Sequence, residues 1–197
     1  MRKKGYLISI EGIDGSGKTT QSKLLTGKLK ERGYDAIYTR EPTNGPIGTI
    51  IKREVLRRGK RPPPVVEAVL FAADRLNHVE KEIKPALEKG KVIICDRYVH
   101  SSLAYQGSAG ISLKWIRKIN KFAPKPDLAI YLDVKPEIGL SRVRKEKTVM
   151  DELEIQKLVR KMYLKLVEEG ELVIVDGERS VDEVFNEVFK IVIKILE

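Results

Sequence analysis

The sequence has little cysteine and no long apolar run, and each shortage excludes a class of protein. The 197 residues include one cysteine, Cys95, so no disulfide can form within the chain, which is typical of proteins from a reducing compartment. No apolar run approaches the roughly 20 residues that a membrane-spanning helix needs. The basic start followed by apolar residues resembles a signal peptide, but the apolar stretch is too short and Glu11 ends it. We therefore predict a cytoplasmic protein without a membrane partner, and a buried core position for Cys95.

Charge is what the sequence has in excess. Charged residues make up 34% of the chain and the formal net charge is +10, while asparagine and glutamine are sparse, a composition typical of heat-adapted proteins. The positive charge suits a nucleic-acid surface, a pocket for several phosphate groups or a solvated basic exterior. Apart from two groups at residues 57–61 and 142–147, the lysines and arginines are scattered. This distribution favours a phosphate pocket with a solvated exterior, and we expect no nucleic-acid partner.

Short apolar runs alternate with longer amphipathic stretches along the chain. This alternation is typical of βαβ units and predicts a single α/β domain over residues 1–197, with a five-stranded parallel sheet flanked by helices. The predicted strands are Tyr6–Ile10, Ala36–Thr39, Val92–Cys95, Leu128–Asp133 and Leu172–Val175. The predicted helices lie near Lys18–Arg32, Ile47–Arg57, Val65–Glu88, Leu113–Ala123, Pro136–Lys145, Asp151–Glu169 and Val181–Leu196. In such a sheet, ligands bind at the carboxyl ends of the strands.

The segment between the first strand and the first helix reads G-I-D-G-S-G-K-T and matches the P-loop pattern G-x-x-x-x-G-K-[ST]. Its backbone N–H groups and the helix N-terminus attract phosphate, Lys18 can reach the β- and γ-phosphates, and the Thr19 hydroxyl can ligate Mg²⁺. The alternative is a glycine-rich turn without a ligand. The flanking strand and helix favour the phosphate site, and with it a three-layer P-loop NTPase fold. The predicted ATP-binding residues of this segment are Gly12, Ile13, Asp14, Gly15, Ser16, Gly17, Lys18, Thr19 and Thr20.

Charged residues that follow other strands should meet at the same edge of the sheet. Asp96 is predicted to order the ligands of Mg²⁺, with a strand-end ion pair as the alternative. Arg40 and Arg97, together with Lys18, exceed the need of one triphosphate, which indicates a second phosphorylated ligand. Asp14 places a carboxylate inside the phosphate loop, and a sugar hydroxyl is a natural partner for it.

Five motifs follow one another along the chain: EGIDGSGKTTQ at 11–21, TREPT at 39–43, LFAADR at 70–75, DRYVHSSLAYQG at 96–107 and YLDVKPEIGLSR at 131–142. Through these motifs the chain resembles the thymidylate (dTMP) kinases, a family of P-loop nucleoside monophosphate kinases, over almost its full length. The resemblance implies transfer of the γ-phosphoryl group of MgATP to dTMP, giving dTDP and ADP in dTTP biosynthesis. It also implies a homodimer, to which the helices between Ile47 and Glu88 are candidate contributors.

The resemblance assigns roles to residues around the second ligand. Phe71 would stack on thymine and Arg75 would hydrogen-bond its O4, although core packing is the simpler interpretation of Phe71 on its own. Asp14 would bind the deoxyribose 3′-hydroxyl, and Tyr105 would crowd the 2′ position and disfavour ribose. The peptide bond of Glu41–Pro42 is often cis in this family. The implied dTMP-binding residues are Asp14, Arg40, Phe71, Arg75, Arg97, Ser101, Ser102, Tyr105 and Gln106.

A short lid at about residues 142–150 is a further implication of the resemblance. Some relatives carry a catalytic arginine inside the P-loop, where this chain has Gly15, and relatives with a small residue there supply the charge from the lid. Arg142 would cover the adenine side of ATP, and Arg144 would contact the transferring phosphoryl group. Other interpretations of this basic run are a solvated helix end, or one of two neighbouring cations in place of Arg144, namely Lys145 and Lys147. The common lid ending D-R-x-E is not kept, because residues 151–154 read D-E-L-E.

The implied chemistry needs no general base, because the attacking oxygen of dTMP is already ionised at neutral pH. Catalysis would come from positioning and from neutralising charge in a closed site. The implied catalytic residues are Lys18, Arg97, Arg142 and Arg144, and the implied metal-site residues are Thr19 and Asp96.

Two other functions compete with this one. The first is a P-loop kinase for a different nucleotide or for a nucleoside, against which Phe71, Arg75 and Tyr105 argue. The second is a nucleic-acid-binding ATPase or a nucleotide-operated switch, which the net charge suggests. Against a GTPase switch, residues 120–123 read N-K-F-A and lack the acid of a guanine-reading N-K-x-D element.

Overall fold

The computed structural model describes residues 4–57, 61–143, 150 and 152–197. Within these ranges, five strands form one sheet in which every pairing is parallel, in the order β2-β3-β1-β4-β5. The strands are β1 Tyr6–Glu11, β2 Ala36–Arg40, β3 Val92–Asp96, β4 Leu128–Asp133 and β5 Val173–Asp176. The predicted parallel α/β sheet is therefore confirmed, with the P-loop strand at its centre.

Helices cover both faces of the sheet and make three layers. On one face, Ile8 and Ile94 pack with Leu25 of the first helix and Val188 of the last. The other face carries the rest of the helices, which is why the central strands are buried on both sides and read as continuous apolar runs. The helices are α1 Lys18–Glu31, α2 Pro46–Ile50, α3 Pro64–His78, α4 Lys84–Glu88, α5 Val99–Ser108, α6 Leu113–Ile119, α7 Pro136–Arg142, α8 Leu153–Glu168 and α9 Val181–Leu196.

Two predicted helices contain a wider turn. Residues Val79–Ile83 join α3 to α4 as a π-helix, and Ile51–Leu56 continue α2 in the same way. In the first case Pro85 lies two residues after the π-helix. Proline has no N–H to donate and its ring would clash with the carbonyl four residues before it, so the local widening accommodates it. The predicted helix Val65–Glu88 is thus present as α3, the π-turn and α4.

The helix α5 was absent from the predicted elements. Seven of its ten residues are buried, including two serines, a histidine and a glutamine, so its sequence shows no polar face. Without that face the helical period of 3.6 residues is not visible in the apolar pattern. The helix α9 shows the opposite case. Val184, Val188 and Val192 form its buried face, and a capping box of Ser180 and Glu183 marks its start. Its bounds agree with the predicted helix Val181–Leu196.

The carboxyl ends of β1, β2 and β3 lie side by side. The Glu41 N–H donates to the Asp96 carbonyl at 3.1 Å, and the Arg97 N–H donates to the Ile10 carbonyl at 3.1 Å. The peptide bond of Glu41–Pro42 is cis, as the family resemblance implied. Three loops that are far apart in sequence therefore meet at one edge of the sheet. No helix in the described ranges has the length and apolar character needed to span a membrane.

Candidate active site

The P-loop runs from Gly12 to Thr19 between β1 and α1, and Gly15 is its most constrained position. Gly15 has φ +76°, and a Cβ built there would lie 1.9 Å from the carbonyl oxygen of Gly139 in α7. An L-residue is strained at this φ, and its side chain would have to displace backbone. An arginine at this position therefore cannot be accommodated without a shift of α7.

Lys18 points back into its own loop. Its Nζ donates to the Ile13 carbonyl at 2.5 Å and to Ser16 Oγ at 3.3 Å, and the side chain is buried. Burial, together with the neighbouring Arg97 guanidinium, lowers the pKa of Lys18 to about 7. The ammonium group is thus hydrogen-bonded to two neutral acceptors. A phosphate oxygen carries negative charge and would be a stronger partner.

The two predicted metal-site residues contact each other. Thr19 Oγ1 donates to Asp96 Oδ2 at 2.5 Å, and the Tyr38 hydroxyl donates to the same oxygen at 3.3 Å. A hydroxyl and a carboxylate side by side are hard oxygen ligands of the kind that Mg²⁺ prefers. Thr19 and Asp96 therefore fit a magnesium ion held beside the P-loop.

A large open groove lies over the P-loop. Its walls include the predicted residues Asp14, Gly15, Ser16, Gly17, Lys18, Thr19, Thr20, Arg40, Asp96, Arg97 and Arg142. The predicted residues Gly12 and Ile13 do not line it; the Ile13 side chain is buried in the core, and the Gly12 carbonyl accepts a hydrogen bond from Arg97 Nη1. The far wall is formed by residues 177, 179–181 and 184, which follow β5 and begin α9. Sequence reasoning missed this wall, although the end of a parallel strand is the signal that pointed to the other loops.

A smaller cavity, with an empty volume of about 450 Å³, adjoins this groove. It is lined by all the predicted dTMP-binding residues except Arg40, which lies in the groove. Asp14 and Arg97 line both spaces, as do Glu41 and Pro42. The site therefore has two compartments that share four residues, among them the P-loop acid Asp14 and Arg97.

Asp14 and Arg97 form an ion pair at this junction. Arg97 Nη2 donates to Asp14 Oδ1 at 2.8 Å, and the Tyr105 hydroxyl donates to Asp14 Oδ2 at 3.3 Å. Arg97 has φ +73°, unusual for a residue with a side chain. The buried carboxylate of Glu11 accepts from the Tyr98 N–H at 2.9 Å and from Ser101 Oγ at 2.6 Å, which holds the turn that follows Arg97. Sequence reasoning assigned no role to Glu11.

Arg75 is buried in the wall of the small cavity, and its guanidinium group is already hydrogen-bonded. It is 1% exposed and donates to Glu41 Oε2 at 2.8 Å and to Ser102 Oγ at 3.0 Å. It also donates to the Asn120 side chain and to the Tyr98 carbonyl. A thymine O4 would share these donors, so Arg75 is a preformed rather than a mobile contact. Phe71 lines the same cavity and is partly buried.

His78 is buried outside both compartments, in a network of hydrogen bonds. His78 lies between Glu41 and Glu82, with Nδ1 3.1 Å from Glu41 Oε1 and Nε2 2.7 Å from Thr39 Oγ1. Burial lowers the pKa of His78, but the hydrogen bonds to Glu41 and Glu82 outweigh that effect and raise it to about 9. A charged His78 therefore ties α3 to the end of β2. Cys95 is buried, and burial raises the pKa of its thiol.

The lid prediction is only partly within the described residues. Arg142 ends α7, and its guanidinium donates to the Gly177 carbonyl at 2.9 Å and to the Glu178 carbonyl at 3.3 Å. It forms part of the groove wall beside the P-loop. Three predicted cations of the lid lie outside the described residues, namely Arg144, Lys145 and Lys147.

Gln156 and Met150 are further residues that sequence reasoning did not select. Met150 lines the small cavity, and Gln156 is a fully buried residue of α8 that hydrogen-bonds to Asp14. A lone glutamine within an amphipathic helix gives no signal of this kind, because it is also typical of a solvated face.

Known proteins of one family match this chain over most of its length. A family model described as Thymidylate kinase matches residues 10–188. The chain is 50% identical over 197 residues to a protein of Pyrococcus abyssi named "Probable thymidylate kinase", with 96% of each chain covered. It is 45% identical to the protein of the same name from Pyrococcus horikoshii, also with 96% of each chain covered. It is 43% identical to the "Thymidylate kinase" of Symbiobacterium thermophilum, with 96% of this chain and 93% of the other covered. A chain with this site and these relatives belongs to the thymidylate kinase family.

Proposed function

We propose that this protein transfers the γ-phosphoryl group of MgATP to dTMP, giving ADP and dTDP as a step toward dTTP. The observation that carries the proposal is the pair of adjoining compartments that share Asp14 and Arg97. One compartment is built on a P-loop and suits a triphosphate; the other is smaller and lined by an aromatic ring and a buried arginine, which suits a nucleoside monophosphate.

The donor side holds ATP through backbone and charge. The N–H groups of the P-loop and the N-terminus of α1 cradle the phosphates, and Lys18 exchanges its neutral acceptors for phosphate oxygens. Arg142, held by the carbonyls of Gly177 and Glu178, covers the adenine side. Magnesium, held by Thr19 and by Asp96, would supply positive charge to the β- and γ-phosphates.

The acceptor side selects thymine and deoxyribose. Phe71 stacks on the base, and Arg75 presents a preformed donor to O4 from the buried wall of the cavity. Tyr105, whose hydroxyl is bound to Asp14, stands where a ribose 2′-hydroxyl would need space. Ser101, Ser102 and Gln106 complete the lining of the small cavity. Asp14 accepts from the 3′-hydroxyl, which gives the P-loop acid its partner.

Catalysis then rests on positioning two anions against each other. Arg97 lines both compartments, and Arg40 lies in the groove beside the strand end, so both can neutralise the dTMP phosphate. Because a side chain at Gly15 would meet Gly139, the further cation on the transferring phosphoryl group must come from outside the P-loop. We assign that role to Arg144.

An acceptor panel tests the substrate. We would measure ADP formation from MgATP with dTMP, dUMP, UMP, dCMP and thymidine in turn. We expect dTMP to have the highest kcat/KM, and thymidine, which lacks the attacking phosphate, to be inactive. A faster reaction with UMP or dCMP would refute the assigned base and sugar contacts, and activity with thymidine would refute the assigned acceptor group.

We also propose that the protein acts as a homodimer in the cytoplasm and that it is heat-adapted. The dimer is supported by exposed apolar side chains on α2 and α3, namely Ile50, Val65, Val66 and Val69.

A further inference from the structure

Gln156 is buried in α8, 142 residues away from the P-loop acid in sequence and bonded to it in space. Its Oε1 accepts from the backbone N–H of Asp14 at 3.2 Å, and its Nε2 is 3.4 Å from Asp14 Oδ2. The Nε2 also donates to the Met150 carbonyl at 2.5 Å. One amide group thus contacts both the backbone and the carboxylate of the same residue.

The environment of Gln156 fixes which end of the amide is which. The Asp14 N–H can only donate, so it requires the oxygen of Gln156. The Met150 carbonyl and the Asp14 carboxylate can only accept, so they require the nitrogen. Reversing the amide would place oxygen against two acceptors and nitrogen against a donor. A glutamate at this position would have the same conflict whenever it is ionised.

The same carboxylate lines both compartments. Its other oxygen is bound by Arg97 at 2.8 Å, and Tyr105 contacts the oxygen that faces Gln156. Arg97 and Tyr105 are themselves residues of the acceptor cavity, so they can change partners when a ligand enters. Gln156 has no exposed surface and is bonded through both ends of its amide, so it is the more fixed of these contacts.

We propose that Gln156 is a positioning residue, which holds the Asp14 carboxylate in the orientation that accepts a hydrogen bond from the 3′-hydroxyl of the acceptor sugar. This inference rests on the proposed function, because it takes dTMP as the acceptor. Gln156 itself has no role in the chemistry; it acts through Asp14. Its effect should therefore be seen with acceptors that carry a 3′-hydroxyl and not with acceptors that lack it.

The test compares two acceptors on two proteins. Calorimetry would give the Kd of dTMP and of 2′,3′-dideoxythymidine 5′-monophosphate for the unmodified protein and for Gln156→Leu. We expect Gln156→Leu to raise the Kd of dTMP by about tenfold or more, since hydrogen bonds to a charged group are lost. The Kd of the dideoxy analogue should change by less than about threefold, because the analogue makes no contact through the 3′ position. Equal weakening of both ligands, or of neither, would overturn the proposal.

Two controls separate positioning from packing. Val159→Ala removes a buried side chain one turn further along α8 without touching Asp14, and should leave the ratio of the two Kd values unchanged. In an Asp14→Asn background, Gln156→Leu should change the Kd of dTMP little further, because both substitutions act through the contact of residue 14 with the 3′-hydroxyl. Additive losses in that double variant would contradict the proposal.

A second substitution keeps the test decisive if Gln156→Leu does not fold. Gln156→Glu preserves shape but donates only when protonated, so its preference for dTMP over the analogue should be small at pH 8 and recover toward pH 5. The ratio cancels the titration of the phosphate that both ligands share. A ratio that does not vary with pH would reject the positioning role. If the unmodified protein binds neither nucleotide, the proposed function fails instead.

Discussion

The charge of Lys18 depends on what the site contains. Buried beside Arg97 and bonded to neutral oxygens, it has a pKa lowered to about 7 from an ordinary value near 10.5. A triphosphate reverses that balance by placing negative charge against the ammonium group. The bound state should therefore hold a proton that the free state lacks whenever the pH lies between the two values.

This linkage gives a pH dependence with a definite sign. At pH 8 we expect MgATP binding to take up close to one proton, and we expect its affinity to fall as the pH rises above 7. Calorimetry at pH 8 in buffers of different ionisation enthalpy measures the uptake directly. The matched control is Lys18→Arg, which keeps the positive charge at every pH and should lose the uptake. Uptake by the arginine variant equal to that of the unmodified protein would assign the proton elsewhere.

Single residues also show why part of the site was out of reach of sequence reasoning. The glycine and lysine spacing of residues 12–19 indicates a phosphate site on its own, because few other structures need that pattern. Gln156 gives no such indication, since its role depends on a contact with a residue 142 positions away in the sequence. Arg75 was assigned to the base through the family resemblance, but its four protein partners became visible only in the folded structure.

At the scale of elements, the P-loop and α7 are in closest contact at two glycines. A Cβ at Gly15 would lie 1.9 Å from the Gly139 carbonyl, and a Cβ at Gly139 would lie 2.6 Å from the Asp14 carbonyl. These contacts connect the phosphate loop directly to the helix that ends at Arg142. A side chain at either glycine must move one element relative to the other.

We expect Gly15→Ala to lower the free energy of unfolding by about 2 kcal/mol or more, from the positive φ and the overlap together. It should also weaken MgATP binding, because the loop must rearrange. Gly27→Ala in α1 is the matched control: its Cβ meets nothing within 4 Å, and alanine favours the helix by about 1 kcal/mol. Denaturant unfolding compares them, and equal stability of the two variants would contradict the contact described here.

The elements themselves were predictable to different degrees. The strands were found from short apolar runs, because burial on both faces is what a parallel sheet imposes. The helix α9 was found from its one-sided pattern, whereas α5 was missed because it is buried all round. The π-turn before α4 could not be inferred from periodicity, since it arises from how the chain accommodates Pro85.

At the scale of the whole molecule, the sheet order explains why distant motifs form one site. The strands β3 and β4 both pair with β1, so the loops after them flank the P-loop. The sequence could predict this convergence from the rule for parallel sheets. It could not predict the placement of α8 over Asp14, because helix packing depends on side-chain fit over the whole layer.

The exposed valines of α3 give a prediction about assembly. If this face joins two copies, light scattering should give a mass twice the 22.4 kDa of the chain. Val69→Glu should shift the mass toward that of a monomer, because it places charge in an apolar contact. Leu158→Glu changes an equally exposed apolar residue of α8 and should leave the mass unchanged. A monomeric mass for the unmodified protein would reject the homodimer.

In the proposed reaction both compartments are filled at once and a phosphoryl group passes from ATP to dTMP. The most direct measurement is ³¹P NMR of the protein with MgATP and dTMP, which distinguishes transfer from hydrolysis by the products. We expect dTDP and ADP to appear in equal amounts while dTMP is consumed. Formation of ADP and inorganic phosphate with dTMP unchanged would show that the protein hydrolyses ATP and does not phosphorylate dTMP.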